Sequence, residues 1–253
     1  MKSITIQYPV LFGWMKKRVS STMPEKWAEL KPNQLNALVR ALNESITEDD
    51  LLVELLDLSP YIVKKLDVWQ RYWLSRDIHL LSSNAPYGEF IIPVVMNLVP
   101  PKKGLSDVSF AEFMYIDTFY MDYLESNTCT DLVNLCSCLY VRPEKLERPT
   151  FTGKIDTYKI RNTSPVILES IALNYGLIRT WLQKAYPEVF PEPKKSAEPT
   201  NKKKDSGWLG VFDSLVGDDL TNADKYANMP CTEVLRFMNR KVKESKSIKR
   251  KTG

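Results

Sequence analysis

The first apolar positions of the chain alternate with polar ones. Ile4-Thr-Ile6-Gln-Tyr8 places every second residue on one side, the period of a half-buried strand. Lys17-Arg-Val19-Ser20 is its predicted partner, so the chain opens on a small β-hairpin. From Pro24 onward the period lengthens to that of helices. Pro32 suits a first helical turn, where its missing N–H needs no partner, and Leu35, Leu38, Val39 and Leu42 follow at helical spacing. Thr47-Glu-Asp-Asp50 caps a second helix carrying Leu51, Leu52, Leu55 and Leu56, its acids set against the positive end of the dipole. Ser59-Pro60 starts a third, whose apolar face is predicted to continue through Ile62, Val63, Leu66, Trp69, Trp73 and Ile78.

Ser109-Phe-Ala-Glu112 has the spacing of a capping box, and the helix it opens, Phe110 to Leu124, is rich in aromatic residues on several sides. That helix is expected near the centre of the core. Asp131 to Tyr140 forms another. A polar stretch rich in Pro and Thr, Arg142 to Thr163, interrupts before Ser164-Pro165 caps a long helix over Val166 to Ala185 that stops short of Pro187. Pro191 to Gly207 then contains three prolines and no large apolar side chain, a composition that cannot pack a core. Beyond it, Gly207 to Val216 forms a short amphipathic helix. Pro230 begins a last one with Cys231, Val234, Leu235, Met238 and Val242 at helical intervals.

The fold class is therefore mainly α. Residues 1–190 form a bundle of roughly six helices with a small N-terminal β-hairpin. Residues 191–206 are a Lys/Pro-rich linker, and residues 207–253 a two-to-three-helix unit with a basic tail. A unit of about 45 residues buries too little surface to stand alone. It is predicted to dock on the first part, on another copy or on a partner.

Composition supports the helical reading: 9 glycines in 253 residues leave little material for the tight turns of a sandwich or barrel. The net charge of +4 hides an asymmetry. Residues 1–190 carry 21 Lys and Arg against 22 Asp and Glu, while residues 191–253 carry 14 against 9. The excess sits in Lys194, Lys195 and Lys202 to Lys204, and then in Arg240, Lys241, Lys243, Lys246 and Lys249 to Lys251. Neither run has the interleaved aromatic residues that stack bases, so a solvated linker and tail are favoured over nucleic-acid contact. The apolar stretch Ile4 to Met15 is interrupted by Gln7 and Pro9 with no small-residue cleavage site after it, which argues against a signal peptide. No stretch is long and apolar enough to span a bilayer.

Catalytic routes find no support. His79 is the single histidine and cannot build a zinc site alone; it reads as a helix-end residue beside Asp77. Cys136-x-Cys138 lacks the spacing of metal knuckles or redox pairs. Cys129 and Cys136, a heptad apart beside Leu132, Val133 and Leu139, read as buried small hydrophobes, and free thiols fit a reducing cytoplasm. Asp117 and Asp122, five residues apart, share no helix face; burial with hydrogen bonds or simple exposure is expected of them. Gly207-Trp-Leu-Gly210 lacks the lysine and spacing of a phosphate loop. The expected protein is not an enzyme and uses no metal or cofactor.

Three stretches, in order, resemble proteins encoded in the tail gene modules of phages and prophages of Bacteroides-type bacteria. Gly104 to Tyr120, with its Glu112-Phe113 and Asp117-Thr118, is similar to one helix of those proteins. Leu132 to Arg142, ending in Leu-Tyr-Val-Arg, is similar to the next, and Ile171 to Phe190, ending in Tyr-Pro-Glu-Val-Phe, to a third. A polar linker and a terminal unit, matched by Trp208 to Val216 and Met229 to Lys243, complete the likeness. The linker here is richer in lysine, and Cys136 and Cys138 replace small aliphatic residues. The resemblance implies a tail assembly chaperone-like role in the host bacterial cytoplasm, with tape-measure and tail-tube proteins as partners and no small-molecule substrate or membrane. The apolar face of the terminal unit, Trp208, Val211, Phe212 and Leu215 with Leu235, Phe237 and Met238, is the expected partner-binding surface. The alternatives are a structural tail or head–tail component of the virion and a DNA-associated protein using the lysine runs.

Overall fold

A computed structural model describes residues 1–76, 78, 87–144, 147–190, 207–217 and 221–252. The predicted linker, His79 and the first lysine run lie outside these residues. Among them the fold is mainly α: ten α-helices and one antiparallel two-stranded hairpin. The hairpin pairs β1 (Lys2–Val10) with β2 (Met15–Met23), so it is longer than the sequence pattern suggests, and Ile6 faces Val19 in its register. Its inner face, with Ile6 and Met23, covers Leu52, Leu56, Leu58, Val63 and Leu66 in a small satellite core.

Three short helices follow: α1 (Pro32–Leu42), α2 (Glu48–Leu56) and α3 (Pro60–Lys64). Thr47 and Asp50 exchange hydrogen bonds in a capping box at the start of α2, and Ser59 caps α3. Gln34 of α1 donates to the Leu55 carbonyl of α2 at 2.8 Å, tying the pair together inside the core. The third apolar face does not continue as expected. α3 stops at Lys64, and the Gln70 N–H donates to the Asp67 carboxylate at 2.8 Å while the Asp67 N–H donates to the Gln70 side-chain oxygen at 3.0 Å, a reciprocal cap that opens a new helix, α4 (Val68–Arg76). The phase is reset by this junction, and Trp69, Tyr72 and Trp73 emerge into solvent instead of the core.

The main core is built by α5 (Phe110–Ser126), α6 (Cys129–Leu139) and α7 (Pro165–Ala185). Ser109 caps α5 by accepting from the Glu112 N–H, although the reciprocal half of the predicted box does not form. Thr128 caps α6, so that helix begins two residues earlier than its apolar pattern indicated. Irregular chain is held to these helices by buried polar side chains. Asn174 of α7 accepts from the Ile91 N–H at 2.6 Å and donates to the Glu89 carbonyl at 2.9 Å, and Tyr140 donates to the Ile92 carbonyl at 2.6 Å. Arg148 reaches under α6 to the carbonyls of Cys138 and Leu139 and pairs with buried Glu112, pinning the polar stretch that precedes α7.

The terminal unit comprises α8 (Gly207–Val216), α9 (Thr221–Asn228) and α10 (Cys231–Thr252). The middle helix had no clear hydrophobic signature. Of the three docking options, this structure takes the first: Cys231, Val234 and Leu235 are buried in the main core. Backbone bonds reinforce that docking, from Phe110 N–H to the Met229 carbonyl and from Cys231 N–H to the Val108 carbonyl, both 2.8 Å.

Gly104 has a tight role in this packing. Its φ is +63°, and a Cβ there would lie 2.9 Å from the Trp181 ring of α7. Gly104→Ala is expected to lower unfolding free energy by about 1–3 kcal/mol, from left-handed backbone and overpacking together. Urea denaturation checks this; an unchanged midpoint contradicts it.

Candidate protein-binding surface

The site begins with the anchor that fixes α8. Asp117 of α5 is 2% exposed and accepts three hydrogen bonds from two other helices. Tyr175 Oη of α7 donates at 3.1 Å, Arg179 Nε of α7 at 2.8 Å, and Trp208 Nε1 of α8 at 2.7 Å. A buried carboxylate is tolerated only when its lone pairs and charge are met, and here both are. Burial first, and the Asp117 charge second, push the Tyr175 hydroxyl well above the usual phenol range, so it stays a donor. The Trp208 ring is edge-on to Phe113 at 4.9 Å, to Phe190 at 5.6 Å and to Phe110 at 6.1 Å. Phe212, one turn on, lies 6.4 Å from Phe110.

The seven residues predicted to bind partners therefore divide. Trp208 and Phe212 pack against the protein's own aromatic cluster and Leu235 is fully buried, so these three hold the unit in place rather than present it. The reason is stoichiometric: a small unit spends its largest apolar side chains on its first neighbour, which is the bundle. Val211, Leu215, Phe237 and Met238 line an open groove of about 810 Å³ between α8 and α10, Leu215 and Met238 while also packing against the main core, with Tyr226 of α9, Gly210 and Val242 among its walls. Arg240 and Lys241 lie over the Phe237 ring at 5.8 and 5.7 Å, which gives the groove a cationic rim. The arrangement offers apolar contact and positive charge, the complement of an amphipathic helix with an acidic flank. Part of the second lysine run, Lys241, Lys243 and Lys246, thus stands on an ordered helix instead of a loose tail.

Among the described residues no three His, Cys, Asp or Glu side chains converge as metal ligands. Asp122 is exposed while Asp117 is buried, so the two carboxylates do not meet. Burial raises the Glu112 carboxyl, with Arg148 opposing that shift, in a pair consumed by structural bonds. No described helix is long and apolar enough to cross a membrane. Compared with protein-family models, with curated proteins and with solved structures, the chain matches none.

Sequence reasoning missed a second exposed apolar region. Phe12 and Trp14, at the hairpin tip, are 104% and 90% exposed. They lie at the end of the apolar stretch Ile4 to Met15, beside the left-handed turn at Leu11, Phe12 and Gly13.

The cysteines correct one expectation. Cys136, Cys138 and Cys231 are buried free thiols, but Cys129 is exposed because it occupies the first turn of α6, ahead of the packed stretch. Burial pushes Cys138 and Cys231 each up to about 12, and Cys136 higher still. An aromatic disulfide reagent is expected to titrate one of the 4 cysteines promptly in the native protein and all after denaturation. Two or more prompt thiols would contradict this packing.

Proposed function

We propose that the protein is a non-enzymatic, tail assembly chaperone-like binding protein that holds an amphipathic client helix in the groove between α8 and α10. The observation that supports this most directly is the two-faced terminal unit. One face is fixed to the bundle through Trp208 and Asp117, and Val211 and Phe237, with Leu215 and Met238 packed between core and groove, line an open apolar groove. A rigidly mounted groove loses less ordering entropy on binding than a floppy helix pair would, which favours affinity. The resemblance to tail-module proteins makes phage tape-measure and tail-tube proteins the expected clients. Function in the host bacterial cytoplasm before virion completion follows from the same reading.

Calorimetry with the tape-measure and tail-tube proteins of the same phage tests the proposal. Val211→Asp and Phe237→Asp are expected to weaken client binding by roughly 30-fold or more while the thermal transition stays within a few degrees. Both substitutions leave the Asp117 anchor untouched. Binding unaffected by either would refute the groove, and recovery of the protein in purified virions would favour a structural tail component instead.

A further inference from the structure

The hairpin tip and a second groove, on α5 and α7, carry complementary chemistry. Leu11, Phe12, Trp14 and Met15 are all exposed at the tip, and Lys16, Lys17 and Arg18 follow directly on β2. Residues 1–23 contain no Asp or Glu at all. The tip is thus an apolar finger with a basic collar. Pairing two such tips would bring like charges together, so an isologous tip-to-tip contact is disfavoured.

The second groove, of about 440 Å³, lies between the ends of α1, α5 and α7 and is lined by Leu42, Tyr120, Tyr123, Leu124 and Leu173 with the carboxylate of Glu169. No Lys or Arg lines it. Its apolar residues are flanked in the chain by exposed Glu44, Asp122 and Glu125, and Leu42 and Leu124 are themselves more than half exposed. The volume accepts an indole with a neighbouring side chain, within the range of roughly 300–1,000 Å³ of small-ligand pockets. By contrast, the α8–α10 groove has the cationic rim described above and would repel the basic collar. Exposed acids stand elsewhere too, at Glu48 and Asp50 of α2, but this groove sets Glu169 beside apolar side chains against which the finger can pack.

We propose that the hairpin finger of one copy inserts Trp14 and Phe12 into the acidic apolar groove of a second copy, a head-to-tail contact between unlike surfaces. Such a contact repeats from copy to copy and yields a ring where the rotation closes, or an open chain where it does not. The charge of the collar against Glu169 and its acidic neighbours fixes which end of the groove the finger enters and makes the contact sensitive to salt. This contact is independent of client binding between α8 and α10.

Sedimentation velocity on the full chain, at rising protein concentration and at two ionic strengths, tests it. The wild type is expected to form oligomers that grow with concentration and recede in high salt. Phe12→Ser with Trp14→Ser removes the finger, and Leu124→Arg blocks the groove; all three positions are solvent-exposed, so the fold is retained. Each variant alone is expected to associate roughly 30-fold or more weakly than the wild type. Mixed, they are expected to form a one-to-one heterodimer and nothing larger, because only one finger and one groove remain intact between them. A monomeric wild type overturns the proposal, including one that instead co-sediments with phosphatidylglycerol vesicles. Oligomers unaffected by either variant, or a mixture that stays monomeric, overturn it too.

Discussion

Asp117 stands where three parts of the chain meet. It belongs to α5, it is bonded to Tyr175 and Arg179 of α7, and its last donor is the indole of Trp208 in α8. Hydrogen bonds to a charged, desolvated acceptor contribute about 1.5–3 kcal/mol each, more than neutral pairs at the surface. Burying an aromatic side chain adds roughly another 1.5–3 kcal/mol. The terminal helices, too few to form a core, are held in two places: α8 by this carboxylate and the Trp208 ring, and α10 by buried Cys231, Val234 and Leu235 with the backbone bonds at Phe110 and Cys231. Without the Asp117 bond the α8 wall of the groove between α8 and α10 loses its polar anchor.

The anchor also explains why the terminal unit presents a groove rather than a flat apolar face. Trp208 and Phe212 turn inward to Phe110, Phe113 and Phe190, Leu215 and Met238 pack between the core and the groove, and Val211 and Phe237 line its open side. Charge then distinguishes this groove from the one on α1, α5 and α7. Arg240 and Lys241 stand at the first, whereas Glu169 lines the second with no basic residue beside it. A basic finger and an acidic client helix would accordingly sort to different places on the same molecule.

Much of the architecture was legible in the residues. Thr47-x-x-Asp50, Ser59-Pro60, Pro32 and Ser109 marked helix starts because capping is a local affair of backbone N–H groups and nearby side chains. The exceptions have local causes too. Asp67 and Gln70 restart a helix in the middle of a continuous-looking apolar face, which turned Trp69 and Trp73 outward. Cys129 shares a face with Cys136 on paper but sits ahead of the packed turn. The seven predicted partner-binding residues form one apolar set in the sequence pattern. Which of them would be consumed internally depended on the acceptor at Asp117, more than ninety positions away in the chain, and no periodicity reports that. The exposed finger had no signal in the pattern, because Leu11 and Phe12 adopt a left-handed conformation that such residues rarely take.

The central claim is that the Asp117 carboxylate holds the terminal unit, and hence the groove, against the bundle. Hydrogen–deuterium exchange of Asp117→Ala against the wild type tests it most directly, with Trp208→Phe as a milder variant that loses the indole N–H and keeps most of the ring. The account predicts that amides of residues 207–216 and the first turns of α10 exchange roughly 10-fold or more faster, while α1 and α2 keep their protection. Unchanged exchange in α8, or an equal loss of protection throughout the chain in both variants, would contradict it.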